Sequence, residues 1–391
     1  MDLDLNKEQR ILKSSARDFL KKESPSSFVR EMWEDPKGYS PEMWAKMADL
    51  GWIGVMIPER YGGIGGDFVD LAILLECMGE ACFPGPFFST VVLGGLTIMA
   101  AGTEEQKKDL LPRLVDGELF LALAVTEPGT WYGAEGVSLK ATQDGEDYVL
   151  DGTKLFVDSA DFADCILCVA RTDQGQAPGG LTVFLVDGKT QGITCSPLVT
   201  LNHDKQCEVV FDKVRVPAKH ILGQPHQAFQ VIEEVQTKAA VAKCAQLVGG
   251  LQWTLNTTVA YAKDRHQFGR PIGSFQAVQH HCANMVIDVD GARFITYQAA
   301  WKIARDLPHG MDAAMAKVWT SNAAKKTALL GHQIHGAISF CEEHDMHLYY
   351  RQAKAGEVAF GDADYHLERV ALLWVWNHPE VSVALSGMTA M

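Results

Sequence analysis

Between Tyr261 and Gln276 the chain gathers Lys263, Asp264, Arg265, His266, Gln267 and Arg270 around Phe268-Gly269 and Pro271. An apolar, alanine-containing run leads in, and Ser274 opens the next one. Two long helices joined by a tight charged corner place ligand-binding groups at one end of a helical bundle. Other candidate chemistry is weaker. Cys165 and Cys168 form a C-x-x-C inside a strand-like run, whereas zinc wants a second pair and redox chemistry a loop or helix start. The nine cysteines therefore read as buried, reduced thiols, with no metal site. The loop Pro58 to Gly66 is glycine-rich but lacks the Lys and Ser/Thr of a phosphate-binding P-loop, so it reads as a surface turn.

The elements that must position the corner come in three blocks. Residues 1–120 show helical spacing. Ile11, Leu12, Ala16, Phe19 and Leu20 form one apolar face, and Met43, Trp44, Met47 and Leu50 another. Ser40-Pro41 and Thr103 through Gln106 are helix starts. Residues 121–225 carry short apolar runs punctuated by Asp-Gly and Gly-Gly pairs, the signature of a small β-barrel. Residues 226–391 return to helices, over 228–264, 275–306, 312–335, 345–358 and 363–376. Helices, then strands, then helices make an α+β chain of three domains, not a doubly wound nucleotide fold.

At 391 residues and 47% hydrophobic content the chain has ample material for such cores. A net charge of −14 argues against nucleic acid or an anionic membrane as the main partner. The polar, acidic start is no signal peptide, and the apolar run Phe87 to Ala101 stops short of the ~20 residues of a membrane span. A cytoplasmic location is expected, in keeping with reduced cysteines.

The block order and five successive motifs resemble the acyl-CoA dehydrogenases. Ala124 through Gly129 is similar to the family's first barrel motif, which implies that Leu123, Val125 and Thr126 lie against a flavin. Lys154 through Ser159 resembles the second, with Phe156, Val157 and Asp158 beside the isoalloxazine. Phe211 through Pro217 resembles the strand leaving the barrel. The corner itself is similar to the third signature, in which Arg265, Gln267, Phe268 and Gln276 would reach the FAD of a neighbouring subunit. Gln333-Ile334-His335-Gly336 resembles the fourth, a turn that would hold the pyrophosphate across that boundary. The resemblance covers essentially the whole chain. It implies an N-terminal helical domain, a central β-barrel and a C-terminal four-helix bundle. It also implies FAD, an acyl-CoA substrate, an electron-transferring flavoprotein as acceptor, and a homotetramer. The chemistry of such a cofactor agrees: Arg265 offers a cationic fork, Gly336 room for close backbone approach, and Phe156 and Phe268 apolar faces.

The chain also departs from the family. Phe360 occupies the position of the usual glutamate base, and Ala239 the alternative position on the preceding helix. Asp158 replaces a common threonine, and Tyr132-Gly133 a common Ser-Asp. If the chain is catalytic alone, its base is a nearby acid: Asp362 first, then Asp364, Glu233 or Glu234. The substrate would then be a branched, cyclic or dicarboxylic acyl-CoA. Two alternatives are a half-site subunit of a hetero-oligomeric acyl-CoA dehydrogenase and a flavin monooxygenase of the same fold. Asp362 has a competing role as a helix cap.

Overall fold

A computed structural model describes residues 4–130, 132–173 and 179–377. The described residues fall into two compact units. One comprises those up to Leu20, Ala72–Cys82 and those from Ala240 onward; the other comprises Lys21–Leu71 and Phe83–Ala239.

Six helices come first: α1 (Lys7–Glu23), α2 (Ser26–Glu34), α3 (Pro41–Asp49), α4 (Phe68–Glu80), α5 (Leu96–Ala101) and α6 (Glu104–Val115). Their starts follow local chemistry. Ser40 accepts from the Met43 N–H with Pro41 just inside α3, and Thr103 and Gln106 close a reciprocal capping box on α6. Two expected faces are narrower than the spacing suggests. Ala16 and Leu20 are buried but Ile11 is exposed, and Leu50, lying past the end of α3, is exposed while Met43, Trp44 and Met47 are buried. The run from Phe87 is no surface element. Phe88–Gly95 forms a fully buried π-helix leading into α5. No helix among the described residues is long and apolar enough to cross a membrane.

Strands β1 (Leu121–Ala124), β2 (Lys140–Asp144), β3 (Asp147–Asp158), β4 (Cys165–Arg171), β5 (Leu181–Asp187), β6 (Ile193–Pro197), β7 (Gln206–Pro217) and β8 (Ile221–Leu222) form one sheet. Its order is β6-β7-β3-β2-β4-β5-β8, with β1 parallel to β4. The runs Tyr148–Leu150 and Lys154–Val157 are one long strand, broken in register by two bulges against β7. Leu150, Phe184, Val209 and Phe211 centre its core. Burial pushes the Cys168 thiol up to about 12 and Cys165 up to about 11, so the C-x-x-C in β4 is protonated. All nine cysteines are free. Four differ from the expected burial: Cys165, Cys195 and Cys282 are half-buried and Cys341 is exposed.

The C-terminal helices are α7 (Ala228–Asp264), α8 (Gln276–Ala304), α9 (Gly310–His335), α10 (Met346–Val358) and α11 (Ala363–Asn377), with a short hairpin of β9 (His266–Gln267) and β10 (Arg270–Pro271) between α7 and α8. Small residues set their spacing. A Cβ on Gly79 would lie 1.8 Å from the Gln246 carbonyl, and one on Gly249 1.9 Å from that of Glu76, so α4 and α7 touch backbone to backbone.

Glu76, on α4, is fully buried and binds α1 through Lys13 (3.0 Å) and α8 through Arg293 (3.4 Å) and the Tyr297 hydroxyl (2.5 Å). Burial alone would raise its pKa. The charges of Lys13 and Arg293 and the Tyr297 hydrogen bond outweigh burial and hold it below 4.5. A carboxyl with a depressed folded-state pKa contributes stability above its unfolded value and loses it as pH falls through the folded one. Acid unfolding of wild type is therefore expected to be steeper than that of Glu76→Gln, measured by urea midpoints across the acidic range. Parallel pH profiles would contradict this role.

Candidate functional site

On the sheet, one candidate surface is built on a buried ion pair. Period-two alternation from Leu150 puts Lys154 on the inward face of β3, where it is fully buried. Its Nζ donates to Glu127 Oε1 (2.6 Å) and to the Val125 carbonyl (2.9 Å). The Glu127 carboxylate also accepts from Ser138 N–H and Oγ–H and from Leu139 N–H, at 3.0, 2.6 and 2.9 Å. Burial raises its pKa, but Lys154 and these donors hold it below the ordinary carboxylate range. A buried pair hydrogen-bonded on both sides in this way fixes geometry. Here it clamps the segment after β1 to β3, and Leu155 N–H donates to the Thr126 carbonyl at 2.9 Å. Val125 and Thr126 are thus held alongside Leu155-Phe156. The sequence reading missed Glu127 and Lys154 as a pair; a lysine at an inward strand position was the signal.

Alternation alone would also place Phe156 in the core. A register shift between Lys154 and Val157, with φ +55° at Phe156, turns that ring outward, leaving it 57% exposed beside a buried Val157. A bulky residue at positive φ is costly and is kept where the surroundings over-determine it. Ser159 repeats the conformation at φ +60°, its N–H donating to the Lys205 carbonyl. Leu123 is buried and Asp158 half-buried on the same two strands.

A second candidate surface, on the helical bundle, comprises the corner and the end of α9. Between β9 and β10, Phe268 and Gly269 have φ +54° and +79°, the geometry of a type I′ turn. Phe268 stands 92% exposed at its tip. Arg265 is anchored through its backbone, donating to the Tyr261 carbonyl and accepting from Ile272 N–H, and its side chain is exposed together with those of Gln267 and Gln276. The Tyr261 ring stacks on His335 at 4.4 Å, and its hydroxyl donates to the His335 carbonyl. That stack joins the corner to Gln333, His335 and Gly336. Gly336, at φ +67°, has nothing within 4 Å of where a Cβ would be, which leaves its backbone open to a ligand.

His335 is buried. Its Nδ1 lies 2.8 Å from the Gly331 carbonyl, which only accepts, so Nδ1 carries the proton. Nε2 is an acceptor with no partner among the described residues. His332 repeats the pattern, with Nδ1 donating to Ser339 Oγ, whose own proton goes to the Gly336 carbonyl, and with Nε2 unpartnered. Burial holds both imidazoles below 6.5. His335 is therefore a neutral acceptor and offers no positive charge to a phosphate.

No carboxylate stands at the two vacated positions. Phe360 is half-buried at φ +57°, followed by Gly361 at φ +98°, and Ala239 is fully buried. Asp362 Oδ1 caps α11, accepting from the Tyr365 N–H at 2.9 Å. Asp364 is exposed in the first turn. Glu233 accepts from Ala134 N–H at 3.0 Å, and Glu234 pairs with Lys238 at 3.0 Å.

Comparison with known proteins agrees with this organisation. Models of the acyl-CoA dehydrogenase N-terminal, middle and C-terminal domains match residues 6–118, 122–214 and 229–372. A probable acyl-CoA dehydrogenase of Bacillus subtilis, YngJ, is 32% identical over 376 residues, covering 93% of this chain and 97% of that protein. Among solved structures, butyryl-CoA dehydrogenase from Megasphaera elsdenii is 29% identical with a TM-score of 0.89, over 96% of this chain and 100% of that one. A chain of the ChsE4-ChsE5 complex from Mycobacterium tuberculosis is 28% identical with a TM-score of 0.87, over 95% and 98%. On its sequence and its fold, the chain belongs to the acyl-CoA dehydrogenase family.

Proposed function

We propose that the chain is an FAD-dependent acyl-CoA dehydrogenase that binds an acyl-CoA thioester and removes hydrogen across its α,β bond. The observation that carries this reading is Phe156, turned out of the sheet by a bulge and held there by the buried Glu127–Lys154 clamp. An exposed aromatic on a rigid strand is a platform for a flat ring, and the open backbone at Gly336 suits a pyrophosphate. Leu123, Val125, Thr126, Phe156, Val157 and Asp158 would contact the flavin ring. Arg265, Gln267, Phe268, Gln276, Gln333, His335 and Gly336 would serve the flavin of a neighbouring subunit. FAD, when bound, accepts the hydride that leaves the β-carbon. The chain's own part is to orient the thioester, exclude water and remove the α-proton. Asp362 is the proposed base: capping uses Oδ1, and Oδ2 remains to take a proton. A branched, cyclic or dicarboxylic acyl chain, an electron-transferring flavoprotein as acceptor and a cytoplasmic setting complete the reading.

Exposed apolar side chains on the bundle support a tetramer. Val286, Ile287 and Phe294 on α8 and Trp319 and Leu329 on α9 are 41–63% exposed, and such a surface marks an interaction site. Purified protein is expected to be yellow, tetrameric and to release FAD on denaturation. Arg265→Ala is expected to weaken FAD retention by the ~1.5–3 kcal/mol of a charge-assisted hydrogen bond, measured by flavin titration of the apoprotein. Colourless protein that FAD cannot reconstitute contradicts the reading.

A second reading is favoured by Phe360 and Ala239, which leave both family positions without a carboxylate, and by the likeness to a complex of two named chains. In it the chain is one subunit of a hetero-oligomer, lending flavin contacts while a partner supplies the base. Co-purification with a second acyl-CoA dehydrogenase-like chain, and flavin reduction only in its presence, is the outcome that selects it.

A further inference from the structure

Phe156 does not stand alone on the outer face of β3. Beyond its bulge the strand returns to regular pairing with β7, Val157 opposite Cys207 and Asp158 opposite Gln206. Successive residues of a strand face opposite sides. Phe156 is 57% exposed, Val157 is buried and Asp158 is half-buried. Asp158 therefore shares the outer face with Phe156, two residues and ~7 Å further along. The end of the strand is fixed. Ser159, at φ +60°, donates its N–H to the Lys205 carbonyl at 2.7 Å, and its own carbonyl accepts from Ala163 N–H at 3.1 Å.

The setting of this carboxylate is negative. Inside the sheet, Glu127 is already matched by Lys154. Lys205, which precedes Gln206, is directed to another element: its Nζ donates to the Trp33 carbonyl at 2.8 Å, and its stem lies over Gly38, where a Cβ would stand 2.7 Å from Lys205 Cε. Burial, then Asp161, Cys195 and Asp158, push the neighbouring Cys207 thiol up to about 12. The fold does not ask for an acid here. Asp is depleted in strands, and asparagine would pair through its backbone equally well.

A carboxylate on the face that would receive a flat ring opposes any negative charge the ring gains. Hydride transfer adds one such charge to its acceptor. Two like charges ~7 Å apart repel by ~3-fold in an equilibrium constant at the dielectric of water and by ~50-fold at that of a protein surface. We propose that Asp158 is a tuning residue that lowers the reduction potential of a flavin seated on Phe156, and so sets how readily the bound cofactor takes hydride from an acyl-CoA and gives it back. This rests on the FAD reading above. Asp158 makes and breaks no bond. It acts through charge alone, so a neutral isostere removes the effect and another carboxylate restores it.

The test is the flavin midpoint potential of the FAD-loaded holoprotein, measured by equilibration with a reference dye during slow reduction. Asp158→Asn is expected to shift the equilibrium toward reduced flavin ~10-fold, about 30 mV for a two-electron couple, with unchanged flavin content and thermal midpoint. Asp158→Glu is expected to stay within ~3-fold of wild type. Asp212→Asn removes an exposed acid further along β7, ~20 Å from Gln206; it is expected to stay within ~2-fold, because exposed charges so far apart are screened. At one ratio of acyl-CoA to protein, Asp158→Asn is expected to bleach more completely than wild type. An asparagine protein within ~2-fold of wild type overturns the inference. So does a glutamate protein shifted as far as the asparagine one, or an Asp212→Asn protein shifted as far. Should Asp158→Asn not hold its flavin, Asp158→Ser takes its place. Wild type that cannot be loaded with FAD removes the FAD reading and this inference together, whereas loaded wild type whose potential Asp158→Asn leaves in place removes the inference alone.

Discussion

Asp362→Asn protein is expected to keep its flavin and its fold while flavin reduction by an acyl-CoA slows ~10²–10⁴-fold, the usual loss on removing a general base. The substitution separates two roles that share one side chain. Asn caps a helix about as well as Asp, so the bond from Tyr365 N–H, now 2.9 Å from Oδ1, survives. Only the ability to take a proton is removed. Phe360→Glu in the same background is expected to restore the rate, because it returns a carboxylate to the family position on a backbone already at φ +57°. If Asp362→Asn reduces its flavin normally, the base lies elsewhere, with Asp364 next in sequence. If no acyl-CoA reduces wild type but one reduces Phe360→Glu, the native chain has no base of its own and the hetero-oligomer reading takes over.

Lys154→Met is expected to cost ~3–5 kcal/mol, because it strands the Glu127 carboxylate in the sheet without its cation. The loss is expected to appear as early urea unfolding and as flavin release, since Val125 and Thr126 are clamped through Lys154. The double variant Lys154→Met/Glu127→Gln is expected to recover much of the stability, because a buried ion pair is expensive to break and much less so to replace. A single variant within ~1 kcal/mol of wild type contradicts the clamp, since that is the scale of a surface pair.

Much of this architecture was legible in the residues. Ser40-Pro41 and the Thr103–Gln106 box act as helix starts because capping is local chemistry. The C-terminal helices fall within a few residues of their expected bounds because long periodic runs signal themselves. What escaped depends on neighbours distant in sequence. Glu127 and Lys154 pair across 27 residues. Phe156 obeys alternation in sequence but is turned out by a bulge against β7 that only the pairing reveals. Leu50 and Ile11 fit apolar faces by spacing, yet nothing covers them among the described residues of their own units. The site motifs were readable as a family resemblance; the protonation of His335 was not, because it is set by the Gly331 carbonyl one turn earlier on α9.

The central claim is that this chain carries FAD and passes hydride to it from an acyl-CoA. Anaerobic titration of the purified, flavin-loaded protein with acyl-CoA thioesters, following bleaching of the flavin band, tests it most directly. The account predicts bleaching by at least one branched, cyclic or dicarboxylic acyl-CoA, slowed ~10²–10⁴-fold in Asp362→Asn. Flavin that stays oxidised with every thioester, in wild type and Phe360→Glu and with a partner chain added, would contradict it.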